Sequence, residues 1–318
     1  MQKRPLIWLA GGALGAAFAL APIAGDLERH AMDDAARERA RAAGLPGAFV
    51  TLPEGVVHYE LAGPEGAPTV VLIHGASGPM TVWDHTAGAL RGAGLRVLRY
   101  DLFGRGYSDR PDAAYDEPFY HAQLEHLLDA LGVAGPVALV GSSMGAAIAA
   151  GYALERPERV SRVALIGPAG FPLEATPVAK LARAPLAGEY LMRAFGGREL
   201  LAHNRRYLAR PEAAPELHAA VREQASYRGL GRAILATMRH FPLEDMAASY
   251  AALGRSGKPI LLAWGRHDQT FPFSHSERAR ALMPGAAFVA VDDAAHLPQY
   301  ERPDVVNPAL LRFLTAGG

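Results

Sequence analysis

Short continuous apolar runs recur along this chain and limit the folds that it can adopt. They occupy residues 69–73, 96–100, 137–140, 163–166, 260–263 and 287–291. Continuous apolar runs are typical of parallel strands that are covered on both faces. Apolar residues at helical spacing follow at 119–131, 144–154 and 303–314, and residues 56–61 alternate like an edge strand. The pattern predicts an α/β fold with a mostly parallel central sheet flanked by helices.

This alternation stops in the second half of the chain and resumes near its end. Residues 169–256 contain no convincing strand pattern and are broken by several prolines, so we predict a helical cap inserted before the strand at 260–263. The cap would lie above the carboxyl ends of the strands, where ligands bind in open α/β sheets. The core is accordingly predicted in two parts, residues 49–168 and 257–318.

Charge and cysteine content exclude several functional classes. Lys and Arg number 32, Asp and Glu also number 32, and the formal net charge is zero. With no basic excess, the chain is not expected to bind nucleic acid. The absence of cysteine rules out disulfides, thiolate zinc ligands and a thiol nucleophile. We expect no metal and no organic cofactor.

The N-terminus has the pattern of a targeting segment. Lys3 and Arg4 precede a stretch from residue 5 to residue 25 that has no charged side chain. A helix of this length could cross the hydrocarbon core of a bilayer, so residues 1–25 are predicted to be a signal peptide or a membrane anchor. Export, with membrane association through residues 5–25, is the corresponding expectation. Residues 26–48 are charged and alanine-rich, and they predict a solvated helical linker.

A G-x-S-x-G motif identifies a candidate nucleophile. Gly141-Ser142-Ser143-Met144-Gly145 follows one apolar run and precedes a helical pattern. In a strand–turn–helix of this kind the central serine is held on a tight turn above the sheet edge, and the glycines allow close packing. Ser143 is therefore the predicted nucleophile, and the helix that follows favours negative charge at its N-terminus.

A serine hydroxyl needs a base, and the base needs an orienting carboxylate. Asp268 and His296 each lie on a loop after a different later strand, in the chain order serine, acid, histidine. Together with Ser143 they form the predicted triad. Neighbouring residues remain as alternatives: His267 for the base, and Asp292 or Asp293 for the acid.

Backbone N–H groups are expected to bind the oxyanion that acyl transfer generates. One is that of Met144, directly after the nucleophile, and the other is that of Ala76, on the loop after the strand at 69–73. His74, Gly75, Gly141 and Gly145 are assigned supporting roles, and Ser77 is a possible additional donor.

Taken together, these residues resemble the α/β-hydrolase superfamily, in particular its capped lipase- and esterase-like branch. The segment 100–109, YDLFGRGYSD, is similar to the family loop before the nucleophile strand. His74-Gly75-Ala76 resembles the oxyanion loop of monoacylglycerol-lipase-like members. His296-Leu297-Pro298, followed by Glu301-Arg302-Pro303, resembles the terminal histidine block. The resemblance covers residues 49–314 apart from detail in the cap.

Two departures restrict what the resemblance implies about activity. Haloalkane dehalogenases and epoxide hydrolases of this fold carry aspartate where this chain has Ser143. Carbon–carbon hydrolases acting on meta-cleavage products usually carry tryptophan after the histidine, where this chain has Leu297. The expected activity is hydrolysis of carboxylic esters, including lipid-derived esters such as monoacylglycerols. A carbon–carbon bond hydrolase and a ligand-binding protein on a hydrolase scaffold stay open as alternatives.

Overall fold

The computed structural model describes residues 27–173 and 177–316, and of residues 177–179 only the backbone. The predicted signal peptide or anchor, residues 1–25, lies outside this part of the chain. Across 27–173 and 177–316, no helix has both the length and the apolar character needed to cross a membrane.

An eight-stranded sheet organises the described part of the chain. Its strands are β1 Ala48–Leu52, β2 Gly55–Ala62, β3 Thr69–Ile73, β4 Arg96–Tyr100, β5 Val137–Ser142, β6 Val160–Ile166, β7 Ile260–Gly265 and β8 Ala287–Val291. They are ordered β1-β2-β4-β3-β5-β6-β7-β8. The pairs β1–β2 and β2–β4 are antiparallel, and every other pair is parallel. The predicted α/β fold with a mostly parallel sheet is confirmed.

Both faces of the sheet are covered, which explains the continuous apolar runs. In β3, Val71 and Ile73 belong to one hydrophobic cluster, whereas Val70 and Leu72 belong to the other. Successive side chains of a strand point to opposite faces. Apolar side chains on both faces of such a strand therefore enter one of two cores, which is why the run is continuous.

Helices flank the sheet and build the region between β6 and β7. Those outside that region are Asp34–Ala42, Asp84–Gly92, Glu117–Ala130, Met144–Glu155, His275–Leu282, Pro298–Glu301 and Pro303–Thr315. Between β6 and β7 the helices are Pro177–Arg183, Ala187–Leu191, Gly197–Arg206, Pro215–Ala225, Leu230–His240 and Ala247–Arg255, with a π-helical turn at Met192–Gly196. We call residues 169–256 the cap.

The antiparallel edge of the sheet differs from the prediction. The pattern at residues 56–61 predicts an edge strand, but β2 has neighbours on both sides because β1 pairs with it. The sequence pattern does not reveal β1, whose alternation is short. Helices Asp84–Gly92 and His275–Leu282 were also not predicted.

The segment at residues 27–42, which we call the arm, was predicted to be a solvated helical linker. It does contain a helix, but that helix packs against the rest of the molecule. Its helix Asp34–Ala42 buries Ala36, Arg37 and Ala40, and Arg37 pairs with Asp109 of the core. Upstream, the carboxylate of Glu28 accepts a hydrogen bond from Gly229 N at 2.6 Å. The arm therefore contacts both the core and the cap. An alternating charged sequence does not show this, because the buried face consists of alanines and one arginine.

Candidate active site

Ser143 lies at a sharp turn between β5 and helix Met144–Glu155, which we call the elbow. Its backbone has φ 59° and ψ −122°, a strained conformation for a non-glycine residue. Its N–H donates to the carbonyl of Ile166 at 2.9 Å, so the end of β6 holds the turn in place. The chain folds this way because the turn must fit between two buried elements.

The two glycines of the motif permit this packing. A Cβ built on Gly141 would lie 2.2 Å from the Gly145 carbonyl oxygen. One built on Gly145 would lie 2.2 Å from the Ile73 carbonyl oxygen. Both contacts are to backbone, which cannot move aside, so any side chain here would displace Ser143.

Asp268 and His296 form a buried pair on the loops after β7 and β8. His296 Nδ1 and Asp268 Oδ2 are 2.8 Å apart, and neither side chain is exposed to solvent. The other carboxylate oxygen, Oδ1, accepts hydrogen bonds from Thr270 N at 2.8 Å and Phe271 N at 3.0 Å. All these contacts orient one carboxylate toward one imidazole nitrogen, which is the arrangement that the predicted triad requires.

The remaining ring nitrogen of His296 is available for chemistry. Nε2 is buried and has no hydrogen-bond partner among the described residues. With Nδ1 committed to Asp268, Nε2 is the atom that can accept a proton from a substrate or from Ser143 Oγ. In ligand-free hydrolases the bond from the serine is often long and shortens when substrate binds.

The predicted oxyanion loop lies directly against the predicted nucleophile. A Cβ built on Gly75 would lie 3.0 Å from Ser143 Cβ, so the loop after β3 touches the elbow. Met144 begins its helix, and the N–H groups of a first helical turn have no acceptor within the helix. Ala76 follows Gly75 on this loop and Met144 follows Ser143, so their N–H groups stay the predicted oxyanion donors.

His74 supports this loop as a neutral imidazole. Leu102 N donates to His74 Nε2 at 2.9 Å, so the ring proton is on Nδ1, which donates to the Gly75 carbonyl at 2.7 Å. Burial disfavours the charged ring and lowers the pKa of His74 to about 4. Both ring nitrogens are used in contacts with the backbone, which is compatible with the supporting role predicted for His74.

The alternative acid and base residues lie away from this pair. His267 is exposed, Asp292 pairs with Arg266, and Asp293 is near Arg302. Ser142 is fully buried, and its Oγ accepts a hydrogen bond from Gln299 Nε2 at 3.3 Å. The structure therefore joins Asp268 to His296 and not to their neighbours, while Ser143 stays the predicted nucleophile on the elbow.

Three contributors to the site were not predicted. Gly167, with φ 48°, follows β6, and a Cβ there would lie 3.4 Å from Asp268 Oδ2 and 3.6 Å from His296 Nδ1. Tyr207 and Gln224 come from the cap and reach His296 and the oxyanion loop. Gly167 could have been found from its place after an apolar run, whereas the two cap residues belong to no motif.

Comparison with known proteins agrees with this geometry. Residues 68–303 match the family model of the alpha/beta hydrolase fold. The chain therefore belongs to the alpha/beta hydrolase fold family. A solved structure similar to it is the enol-lactonase from Burkholderia xenovorans LB400, with a TM-score of 0.71 and 25% identity. That similarity covers 84% of this chain and 100% of the enol-lactonase.

Curated relatives are diverse in activity. The chain is 29% identical to a cis-3-alkyl-4-alkyloxetan-2-one decarboxylase of Xanthomonas campestris, over 79% of this chain and 90% of that protein. It is 28% identical to the carboxylesterase YbfK of Bacillus subtilis, over 85% and 88%. It is 31% identical to a 2-hydroxymuconate semialdehyde hydrolase of Pseudomonas putida, over 79% and 88%. Family membership thus leaves open which bond is cleaved.

Proposed function

We propose that this protein hydrolyses carboxylic esters through an acyl-enzyme formed on Ser143. His296 Nε2 takes the hydroxyl proton as Ser143 Oγ attacks the ester carbonyl, and the Ala76 and Met144 N–H groups bind the oxyanion. The alcohol leaves with the proton from His296. Water, deprotonated by the same nitrogen, then attacks the acyl carbon and releases the acid and Ser143.

One observation carries this proposal: the buried contact of 2.8 Å between Asp268 and His296, which leaves Nε2 of the imidazole without a hydrogen-bond partner among the described residues. A buried polar atom without a partner has an energetic cost, and a catalytic role is one explanation for it. A protein that only binds ligands would gain nothing from a base oriented in this way. The carboxylesterase among the relatives supports the same reaction.

A fluorophosphonate probe tests whether Ser143 is an activated nucleophile. We expect purified protein to be labelled on Ser143, as located by mass spectrometry, and Ser143→Ala to remain unlabelled. Ser142→Ala is the matched control, because its hydroxyl faces Gln299, and it should still be labelled. Folded protein that takes no label would contradict the proposal and favour a ligand-binding role.

For the substrate class we propose lipid-derived esters such as monoacylglycerols. In the part of the chain that the structure describes, the large apolar residues with high exposure all lie in one stretch of the cap: Leu181 at 52%, Leu186 at 85% and Phe195 at 52%. We call these three residues the apolar tip. Clustered exposed apolar side chains mark interaction sites more often than scattered ones do.

Charge around the apolar tip fits an anionic lipid surface. Lys180, Arg193 and Arg198 are exposed there, and Glu189 pairs with Arg239. Apolar side chains bordered by cations are the pattern of proteins that bind at membrane interfaces. The uncharged stretch at residues 5–25 precedes Leu27, whose side chain packs on Gly197 beside this tip. We propose that the same face meets the membrane and receives the substrate, with residues 5–25 as its export or anchoring segment.

Activity on a lipid substrate in vesicles and on a soluble ester tests the proposed substrate class. Leu186→Asp and Phe195→Asp should lower hydrolysis of monoacylglycerol in phosphatidylglycerol-containing vesicles about tenfold, since each removes one apolar side chain that would enter the lipid. Hydrolysis of soluble p-nitrophenyl acetate should stay within about twofold. Ala219→Asp, at an exposed cap position outside the tip, is the control. Equal losses on both substrates would rule out a role in lipid access.

Cleavage of carbon–carbon bonds is the second candidate, because the Pseudomonas putida relative is a 2-hydroxymuconate semialdehyde hydrolase. Leu297 argues against carbon–carbon bond cleavage, because such enzymes usually have tryptophan at this position. A chromogenic vinylogous diketone distinguishes the two activities by loss of its dienolate absorbance. Turnover of that compound, with none of any ester, would replace the ester proposal.

A further inference from the structure

The oxyanion loop is held by three side chains, one on each of three successive carbonyls. His74 Nδ1 donates to the Gly75 carbonyl at 2.7 Å, and Arg105 Nε donates to the Ala76 carbonyl at 2.6 Å. Gln224 Nε2 donates to the Ser77 carbonyl at 2.6 Å. These anchoring side chains are 0%, 0% and 2% exposed, so water does not compete for the carbonyls.

Anchoring a carbonyl also orients an N–H group. In a planar trans peptide the C=O and the following N–H point in opposite directions. His74 therefore fixes the direction of the Ala76 N–H, while Arg105 and Gln224 fix the next two peptide planes. The Ala76 donor is set in place before a substrate arrives, which is how oxyanion holes lower the barrier.

Gln224 belongs to the cap, in the last turn of helix Pro215–Ala225. Its Oε1 accepts a hydrogen bond from Gly106 N at 2.9 Å. Because Gly106 N can only donate, this contact identifies Oε1 and leaves Nε2 to the Ser77 carbonyl. Both ends of the amide are thus used, and the side chain joins the cap to two loops of the core.

Tyr207 makes the corresponding connection to His296. Its ring centroid lies 4.7 Å from that of the imidazole. Its backbone carbonyl accepts a hydrogen bond from the backbone N–H of His296 at 2.9 Å. Its hydroxyl accepts a hydrogen bond from Ser77 Oγ at 3.0 Å. The cap therefore touches both the base and the oxyanion loop through one residue.

We propose that Gln224 and Tyr207 are positioning residues, through which the docked cap sets the geometry of the oxyanion loop and of His296. The cap then controls the reaction rate and does more than enclose the substrate. This inference rests on the proposed ester hydrolysis. It predicts that loss of either contact lowers kcat and leaves KM nearly unchanged, because neither residue is assigned a contact with substrate.

Kinetics of Gln224→Met and Tyr207→Phe test the proposal. We expect Gln224→Met to reduce kcat on p-nitrophenyl acetate about 10- to 100-fold, below the loss that removal of a whole oxyanion donor causes. KM should change less than about twofold, and affinity for an aryl boronic acid, which mimics the tetrahedral intermediate, should fall in parallel. Tyr207→Phe keeps the ring and the carbonyl contact, so its kcat should fall less than that of Gln224→Met. The double variant should lose less than the product of the two single effects, since both act on one loop.

Arg222→Met is the matched control, since Arg222 is exposed on the same helix, and it should keep full activity. If Gln224→Met does not fold, Gln224→Asn, which shortens the same amide, replaces it. Unchanged kcat and boronate affinity in a folded Gln224 variant would overturn the inference, and so would a rise in KM alone. Failure of the wild-type protein to react with fluorophosphonate would instead overturn the proposed function. If fluorophosphonate labelled the wild-type protein and Gln224→Met at equal rates, the proposed role of the cap would be wrong and the proposed function would stand.

Discussion

At Gly75 the oxyanion loop lies so close to Ser143 that there is no room for a side chain. A Cβ there would be 3.0 Å from Ser143 Cβ and 3.4 Å from its Oγ. We predict that Gly75→Ala lowers kcat at least about tenfold, because the methyl group must displace either the loop or the serine. Steady-state kinetics with thermal denaturation would measure both effects.

Gly88→Ala is the control for that substitution. Gly88 lies in helix Asp84–Gly92, and apart from its chain neighbours and the backbone of its own helix no described atom is within 4 Å of the position that a Cβ would occupy there. Alanine at this position should raise stability by up to about 1 kcal/mol and leave kcat unchanged. Equal kcat in Gly75→Ala and Gly88→Ala would contradict the close packing described for the elbow.

His74 makes stability depend on pH. Its pKa in the folded state is lowered to about 4 by burial, compared with 6.5 for an ordinary histidine. The unfolded chain therefore binds the proton first, and stability is lost as pH falls from 6.5 toward 4. At about pH 5, protonation of His74 in the unfolded chain should lower the free energy of unfolding by about 2 kcal/mol.

Urea unfolding at about pH 7 and about pH 5 measures this effect. His74→Asn is a neutral replacement, so its stability should be lower at the higher pH but should change less between the two pH values. A pH dependence as steep as that of wild type would show that other groups are responsible.

Sequence alone predicted the residues that belong to motifs. Ser143, Asp268 and His296 could be proposed because each follows a different strand, and parallel strands bring their carboxyl ends to one edge. Gln224 and Tyr207 could not, since a hydrogen bond from a cap helix to a core loop leaves no periodic signal.

At the scale of elements, the arm offers the sharpest prediction. Glu28 accepts hydrogen bonds from Gly229 N and Gly231 N, at the start of helix Leu230–His240. A carboxylate at a helix N-terminus satisfies free donors and interacts favourably with the helix dipole. Glu28→Ala should therefore cost about 1 kcal/mol in free energy of unfolding and increase hydrogen exchange in this helix.

Glu38→Ala is the matched control in the arm. Glu38 is exposed and pairs with Arg41 at the surface, so its loss should change stability by less than about 0.5 kcal/mol. Indistinguishable effects of the two substitutions would mean that the Glu28 contact does not stabilise the cap.

Strands were easier to predict than the helices around them. Strands of the parallel part have two buried faces and thus continuous apolar runs, whereas β1 at the edge is only five residues long and mostly exposed or half-buried. Helix His275–Leu282 is rich in charge, and only Ser276 and Ala279 of it are buried. Its periodicity was too weak to detect.

On the scale of the whole molecule, cap and sheet share their hydrophobic cores. Phe241 and Tyr250 of the cap belong to the cluster that contains Val71, and Leu217 and Leu230 belong to the cluster that contains Val70. We therefore predict that cap and core unfold together. Guanidinium unfolding followed by circular dichroism should coincide with loss of hydrogen-exchange protection in both regions. Loss of protection in the cap at a lower denaturant concentration would contradict this.

The arm also has a practical meaning for anyone who shortens this protein. The family match begins at residue 68 and the sheet at Ala48, so a truncation designed from either boundary would look complete. It would remove Glu28 and Arg37, leaving Asp109 without its cation and the cap helix without its carboxylate. Versions intended for crystallisation or assay should therefore begin no later than Leu27, and a fusion partner is better placed at the other terminus.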